Sequence, residues 1–137
     1  RDHGSNPHGF RDYILKTLEL EEYNGGKWLF KCGAERYQMW ESFKPYYVYC
    51  RRDYESFKKS RDNSGFGPMP KRQFDKLQQH MDDSMNRNGG INVYPAKLKE
   101  GDFSEMTKAL EFCGIEPDMK IIKDFYEPDL WHHNESN

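Results

Sequence analysis

The chain has 137 residues, of which 35% are hydrophobic, 15% aromatic and 32% charged, and its formal net charge is -2. That length allows one domain with a core and is too short for two of ordinary size, so residues 1–137 are expected to form a single domain. The composition excludes a disordered chain, and the near-neutral charge excludes a broad nucleic-acid-binding surface. No run approaches the ~20 apolar residues that span a bilayer, so no membrane partner is expected.

The cysteines and histidines predict neither disulfides nor a metal site. Cys32, Cys50 and Cys113 lie far apart, are odd in number and include no CxxC pair. Free thiols in a reducing compartment are expected, and therefore a cytoplasmic location. The adjacent pair His132-His133 has no third ligand at a recognisable spacing, so no metal is expected.

In chain order, the sequence first predicts a helix, a short strand and a second helix. The first helix is marked by apolar residues at helical spacing: Phe10, Tyr13, Ile14 and Leu18. Asn24-Gly25-Gly26 ends it. The apolar run 28–30 predicts a strand that ends at Lys31, and a helix is expected over 35–43.

The strongest strand signal is the aromatic and β-branched run at 46–50. Pro45 and Arg51-Arg52 bound it, and a continuous apolar run suits a strand buried on both faces of a parallel sheet. Asp53 is then placed to cap a helix that runs to about Arg61.

The second half of the chain continues the alternation. A loop is expected over 62–70, a helix from Pro70 to Asn88-Gly89-Gly90, and a strand over 91–94. Asp102 and Glu105 form a capping box for the next helix, and a last helix is expected over 118–126. This order predicts an α/β fold with three layers, a parallel sheet with helices on both faces. Three strands are few for so many helices, which favours a further segment upstream.

The clearest candidate site follows the strand at 46–50. Ligands of open α/β sheets bind outside the carboxyl ends of strands, where Arg52 falls, and the N-terminus of the next helix favours an anion. Four residues fall on or beside one face of that helix: Asp53, Ser56, Phe57 and Ser60. The guanidinium of Arg52 and the hydroxyl of Ser60 can thus converge on one phosphate. The same pattern also fits a helix cap with a surface ion pair and a solvated serine.

This segment resembles the 3′-phosphate-binding segment of sulfotransferases that use 3′-phosphoadenosine 5′-phosphosulfate. The family's motif is a strand followed by Arg, then Asp or Asn, with a Ser eight residues after the Arg, and Arg52 and Ser60 match its two phosphate-binding residues. The Pro that usually follows the Arg-Asp pair is Tyr54 here, which puts the tightness of the turn in doubt.

Three further stretches resemble the family in the same order. Residues 6–10 are similar to the NPxGY/F segment of bacterial-type members, and 28–31 resemble the strand whose terminal lysine, here Lys31, faces the transferred sulfuryl group. Residues 106–130 resemble the family's closing helices and tail. The likeness covers most of the chain and implies a P-loop NTPase-like sulfotransferase fold.

The chain also departs from the family. The 5′-phosphosulfate loop, a Gly/Ser/Thr-rich turn between the first strand and first helix, has no counterpart. In the family it lies ahead of the NPxGF segment, that is, before Arg1. The chain is therefore interpreted as the carboxyl-terminal majority of a sulfotransferase domain, N-terminally incomplete, and its activity on its own stays open.

The resemblance implies in-line transfer of a sulfuryl group to a hydroxyl or amine of a small-molecule or carbohydrate acceptor, without a metal. Lys31 is the candidate cation that stabilises the transferred group, and an ordinary strand-end lysine is the alternative. Some members carry a catalytic His two residues after this Lys, where Gly33 stands here. The base must then lie elsewhere, and His8 or His3 is the candidate, with a solvated terminal histidine as the alternative.

Other functions and partners stay open. The chain could be a non-catalytic nucleotide- or protein-binding module that retains the scaffold. A P-loop kinase relative would need a magnesium-binding Asp at a strand end, and none is persuasive. An incomplete sheet would leave an edge prone to self-association, which leaves a homo-oligomer open.

Overall fold

The computed structural model of the chain describes residues 7–20 and 28–126, without the side chains of 7, 8 and 18–20. The elements of this part, two of them 3₁₀ helices named η1 and η2, are in order α1 (Pro7–Leu20), η1 (Ala34–Phe43), β1 (Val48–Cys50), α2 (Tyr54–Ser64), α3 (Lys71–Asn88), β2 (Ile91–Val93), η2 (Pro95–Glu100), α4 (Ser104–Phe112) and α5 (Met119–Phe125).

The two strands form a parallel pair, as the alternation of elements predicts. Tyr49 lies opposite Asn92, and the chain passes from β1 to β2 through α2 and α3. The ladder extends past β1, because the Arg51 N–H donates to the Val93 carbonyl at 2.8 Å. The predicted parallel sheet is thereby confirmed for these two strands.

The strand predicted over 28–31 is wrong: these residues have no regular secondary structure. The rings of Trp28 and Phe30 stack at 6.0 Å, and Phe30 packs on Trp40 of η1 at 4.7 Å. Leu29, between them, is 95% exposed. The aromatic side chains therefore hold this segment against η1, and no strand in the described part of the chain pairs with it.

The fold established by the described residues is a helix-rich α/β arrangement with a two-stranded parallel sheet. Three layers, with helices on both faces of the sheet, stay a prediction. The helix expected over 35–43 is present as the 3₁₀ helix η1, and α2 runs three residues beyond Arg61 into the expected loop.

The core is built from residues of α1, η1, α3 and the two strands. The buried apolar residues of the described part are Ile14, Tyr37, Met39, Tyr49, Phe74 and Val93. The Tyr49 hydroxyl lies 2.7 Å from the Oγ of Ser84, a fully buried residue of α3, and donates to the Gly89 carbonyl at 2.9 Å. Tyr47, stacked parallel to Tyr49, donates to the Tyr37 carbonyl. The aromatic strand is thus tied to α3 and η1 through its hydroxyls.

Gly90 allows β2 to begin directly beside β1. Its φ is +113°, and a Cβ there would lie 2.5 Å from the Tyr47 carbonyl oxygen. A side chain at position 90 would therefore force the two strands apart. Gly90, which was predicted only to end a helix, thus also allows the two strands to pair.

The predicted capping box of α4 is wrong. The N-cap of α4 is Phe103, which has no side-chain cap, and Asp102 precedes it, with its Oδ1 accepting from the Ser104 N–H at 2.9 Å. Glu105 instead accepts from the Tyr94 N–H at 3.1 Å, because the Asp102 N–H already donates to the Lys97 carbonyl of η2. Glu105 therefore ties α4 to the end of β2.

Candidate anion-binding site

The two arginines that follow β1 contact different helices. Arg51 contacts Asn92 of β2 and Asp82 of α3. Arg52 contacts Ser56 of α2. The guanidinium of Arg51 is therefore directed at α3, and that of Arg52 at α2, the helix that carries Ser60 of the motif.

Arg52 and Ser56 form the centre of the candidate site. Arg52 Nη2 donates to the Ser56 Oγ at 2.7 Å and to the Ser56 carbonyl at 3.2 Å. Ser56 is only 6% exposed, and its N–H donates to Oδ1 of Asp53, the N-cap of α2, at 2.8 Å. The cap predicted at Asp53 is confirmed, and a guanidinium lies at the carboxyl end of β1 beside the first turn of α2.

Ser60 lies in α2 one turn beyond Ser56. Ser56 and Ser60 are spaced by four residues and follow one face of α2, while Arg52 precedes the helix. The hydroxyl that meets the guanidinium is that of Ser56, and the Ser60 carbonyl accepts from the Ser64 Oγ at 2.6 Å. From the sequence, Ser56 was predicted only to lie on this face of α2, and its spacing of four residues from Arg52 is the signal for the contact.

A cleft of about 690 Å³ opens between α2 and η2. Its walls include Ser56 and Lys59 from α2 and Lys97 and Lys99 from η2. Since α2 follows β1 and η2 follows β2, the cleft lies outside the carboxyl ends of both strands, where ligands of open α/β sheets bind. Its volume is within the range of small-molecule sites.

The charges that line the cleft balance each other: Lys58, Lys59, Lys97 and Lys99 against Asp53, Glu55, Asp62 and Glu100. Lys97 Nζ also lies 3.8 Å from Glu105, whose pKa is lowered chiefly by its contact with Lys108. An anion in the cleft would therefore be held by local contacts with single lysines and not by a broad positive field. Arg52 binds the lining residue Ser56 and is not itself part of the lining.

Lys31 is exposed and lies near the carboxyl end of β1. Partial burial raises the pKa of the Cys50 thiol, and the Lys31 ammonium is close enough to oppose that rise. Cys50 is separated from Arg52 by one residue. Lys31 is thus on the same end of the sheet as the arginine, on a segment without strand structure.

The histidine predictions fall largely outside the described residues. His8 lies in the first turn of α1, and its side chain is not described. His3, His132 and His133 lie outside the described ranges. Within residues 7–20 and 28–126, no three His, Cys, Asp or Glu side chains cluster as a metal site requires. In the same residues no helix is both long and apolar enough to cross a membrane.

Comparison of the chain with family profiles, with curated proteins and with solved structures finds no significant match. The case for a function therefore depends on the motif at Arg52 and on the geometry of Arg52, Ser56 and the cleft.

Proposed function

We propose that the chain is a sulfotransferase domain, or the larger part of one, that binds the 3′-phosphate of 3′-phosphoadenosine 5′-phosphosulfate with Arg52 and transfers the sulfuryl group to a hydroxyl or amine. One observation carries this proposal. A guanidinium stands at the carboxyl end of a parallel strand, 2.7 Å from a buried serine hydroxyl, at the capped start of a helix beside a ligand-sized cleft.

The binding chemistry is that of a phosphate monoester. Arg52 offers a planar set of N–H donors that suits two phosphate oxygens, and the first turn of α2 adds main-chain N–H groups and a favourable dipole. Ser60, one turn beyond Ser56, supplies the second side-chain donor of the motif. The adenosine portion would then occupy the cleft between α2 and η2.

The proposed fold needs a larger sheet than the described one, with helices on both faces. A further strand would pair with the outer edge of β1. Tyr47, Tyr49 and Arg51 direct their main-chain groups to β2, and those of Val48 and Cys50 face the opposite way. Within the described residues no hydrogen bond joins that edge to another segment. A strand from outside residues 7–20 and 28–126 would complete it.

Transfer proceeds in line. The acceptor oxygen or nitrogen bonds to sulfur while the bond from sulfur to the bridging oxygen of the phosphosulfate breaks, and the acceptor proton passes to a base. Lys31 stabilises the negative charge on the transferred group and leaving oxygen. His8 is the proposed base.

Calorimetric titration with 3′-phosphoadenosine 5′-phosphate tests the proposal. We expect binding to the wild-type chain and a loss of affinity of about tenfold to a hundredfold in Arg52→Ala, because a charge-assisted hydrogen bond is removed. Arg72→Ala, an exposed arginine of α3 away from the cleft, is the matched control and should bind normally. Equal affinity in the Arg52 variant, or no binding by the folded wild type, would contradict the proposal.

A non-catalytic nucleotide- or protein-binding module is the second candidate. It is favoured by one observation, that no glycine-bearing turn in the described residues has the spacing of a phosphate cradle leading into a helix. Incubation with radiolabelled 3′-phosphoadenosine 5′-phosphosulfate and a panel of phenol, carbohydrate and amine acceptors separates the two. Labelled product supports the transferase, while Arg52-dependent binding without product supports the module.

A further inference from the structure

Arg51 makes the most extensive side-chain contacts near the site. Its Nε donates to Asn92 Oδ1 at 2.8 Å, its Nη1 to Gln78 Oε1 at 3.1 Å, and its Nη2 to Asp82 Oδ1 at 2.7 Å. The side chain is 12% exposed. A single guanidinium thus joins the end of β1 to β2 and to two successive turns of α3.

These contacts leave Arg51 poorly suited to bind a ligand itself. Nε and both Nη atoms already donate to protein oxygens, one of them a carboxylate. A phosphate that replaced Asp82 at Nη2 would gain one charge pair and lose another. These contacts therefore stabilise one arrangement of β1, β2 and α3.

The contacts of Arg51 bear on both walls of the cleft. The residue after Arg51 is Arg52, which leads into α2, and two residues after Asn92 comes Tyr94, which leads into η2. The Arg51–Asn92 bond therefore fixes the starts of the two connections whose following helices form the walls. Together with the main-chain bond from the Arg51 N–H to the Val93 carbonyl, it restrains the backbone from which the Arg52 side chain projects.

We propose that Arg51 is a positioning residue of the anion site: by binding Asn92, Gln78 and Asp82 it sets the spacing of α2 and η2 and directs Arg52 at Ser56. The ligand part of this inference rests on the proposed function. The geometric part does not, because the orientation of Arg52 can be measured without any ligand.

The first experiment uses no ligand. Arg51→Lys keeps the charge and loses the planar set of donors, so we expect NMR shifts of the Ser56 amide and the Arg52 Nε–H as the two separate. The shifts should recur in Asn92→Ala, which leaves both arginines intact. Arg72→Lys should leave these resonances unchanged. If these resonances are unperturbed in both Arg51→Lys and Asn92→Ala while the proteins are folded, the proposal is overturned.

The second experiment measures affinity for 3′-phosphoadenosine 5′-phosphate. We expect a loss of about tenfold in Arg51→Lys and in Asn92→Ala, and no further loss in the double variant, because both changes break the same bond. Normal affinity in folded Arg51→Lys together with loss in Arg51→Gln would instead identify Arg51 as a direct electrostatic ligand and overturn the positioning role.

The two experiments keep the proposals apart. If the wild-type chain binds no nucleotide, the proposed function fails, and the NMR result alone decides whether Arg51 directs Arg52. If the nucleotide binds and depends on Arg52 but not on Arg51 or Asn92, the proposed function stands and the positioning role fails.

Discussion

Tyr49 and Ser84 show how a polar pair is accommodated in the core. Tyr49 is 5% exposed and Ser84 fully buried, and their hydroxyls lie 2.7 Å apart. The Tyr49 hydroxyl donates to the Gly89 carbonyl, so the Ser84 hydroxyl donates to Tyr49 and each group has a partner. Burial raises the pKa of the Tyr49 phenol, which therefore stays neutral over the physiological range.

Tyr49→Phe should lower the free energy of unfolding by about 1–3 kcal/mol, because it leaves the Ser84 hydroxyl and the Gly89 carbonyl without this partner. Chemical denaturation measures the change. The double variant Tyr49→Phe, Ser84→Ala should cost less than the sum of the single changes. Tyr46→Phe, at a tyrosine 67% exposed, is the control and should change little. Additive costs would show that the two hydroxyls do not act as a pair.

Sequence alone located the candidate site but not its contacts. Arg52 follows a strand with a strong local signal, so its place at a strand end could be predicted. Its contact with Ser56, and the contacts of Arg51 with Gln78 and Asp82, depend on which helix packs beside each side chain. That information lies in packing between distant segments.

At the scale of elements, the best predictions are those with local causes. α2 and α5 begin directly after Asp53 and Asp118, whose carboxylates accept main-chain N–H groups of the first turn. The cap at Asp53 was predicted from the sequence. The segment 28–31 has strand composition, yet a strand exists only where a neighbour offers main-chain partners. η2 was missed because a long-range bond, from the Tyr94 N–H to Glu105, holds its start.

The outer edge of β1 gives a test of where the sheet ends. Val48→Pro removes a main-chain N–H that does not take part in pairing with β2. We therefore expect the free energy of unfolding of Val48→Pro to be lower than that of Val48→Ala by no more than about 0.5 kcal/mol. A difference of this size is typical of a substitution away from buried or hydrogen-bonded groups. Thermal unfolding of both variants measures it. A much larger cost for proline would mean that another strand already pairs with this edge.

At the scale of the whole molecule, one ion pair makes stability depend on pH. Arg87 of α3 binds both carboxylate oxygens of Glu41 in η1, at 2.8 and 3.0 Å. This contact lowers the pKa of Glu41. Because the folded-state pKa is depressed, the stabilisation is present above the unfolded-state pKa of about 4.3 and is lost as pH falls through the folded value.

Arg87→Gln should therefore destabilise the protein near pH 6–7 and lose its effect toward pH 3. Denaturation midpoints of wild type and variant across this range measure the convergence. Arg72→Gln, at an exposed arginine with no ion pair to a described residue, should show no such pH-dependent difference. A gap between wild type and Arg87→Gln that stays constant with pH would show that Arg87 acts through packing alone.

The paired arginines at the end of β1 also bear on how this segment tolerates a shift of register. Side chains of a strand alternate, so sliding β1 by one position would exchange the surfaces that its residues face. For most strands such a slip puts apolar groups into water and polar groups into the interior. Here an insertion of one residue within 46–50 would move Arg51 into the place of Arg52, so a cation would still face α2.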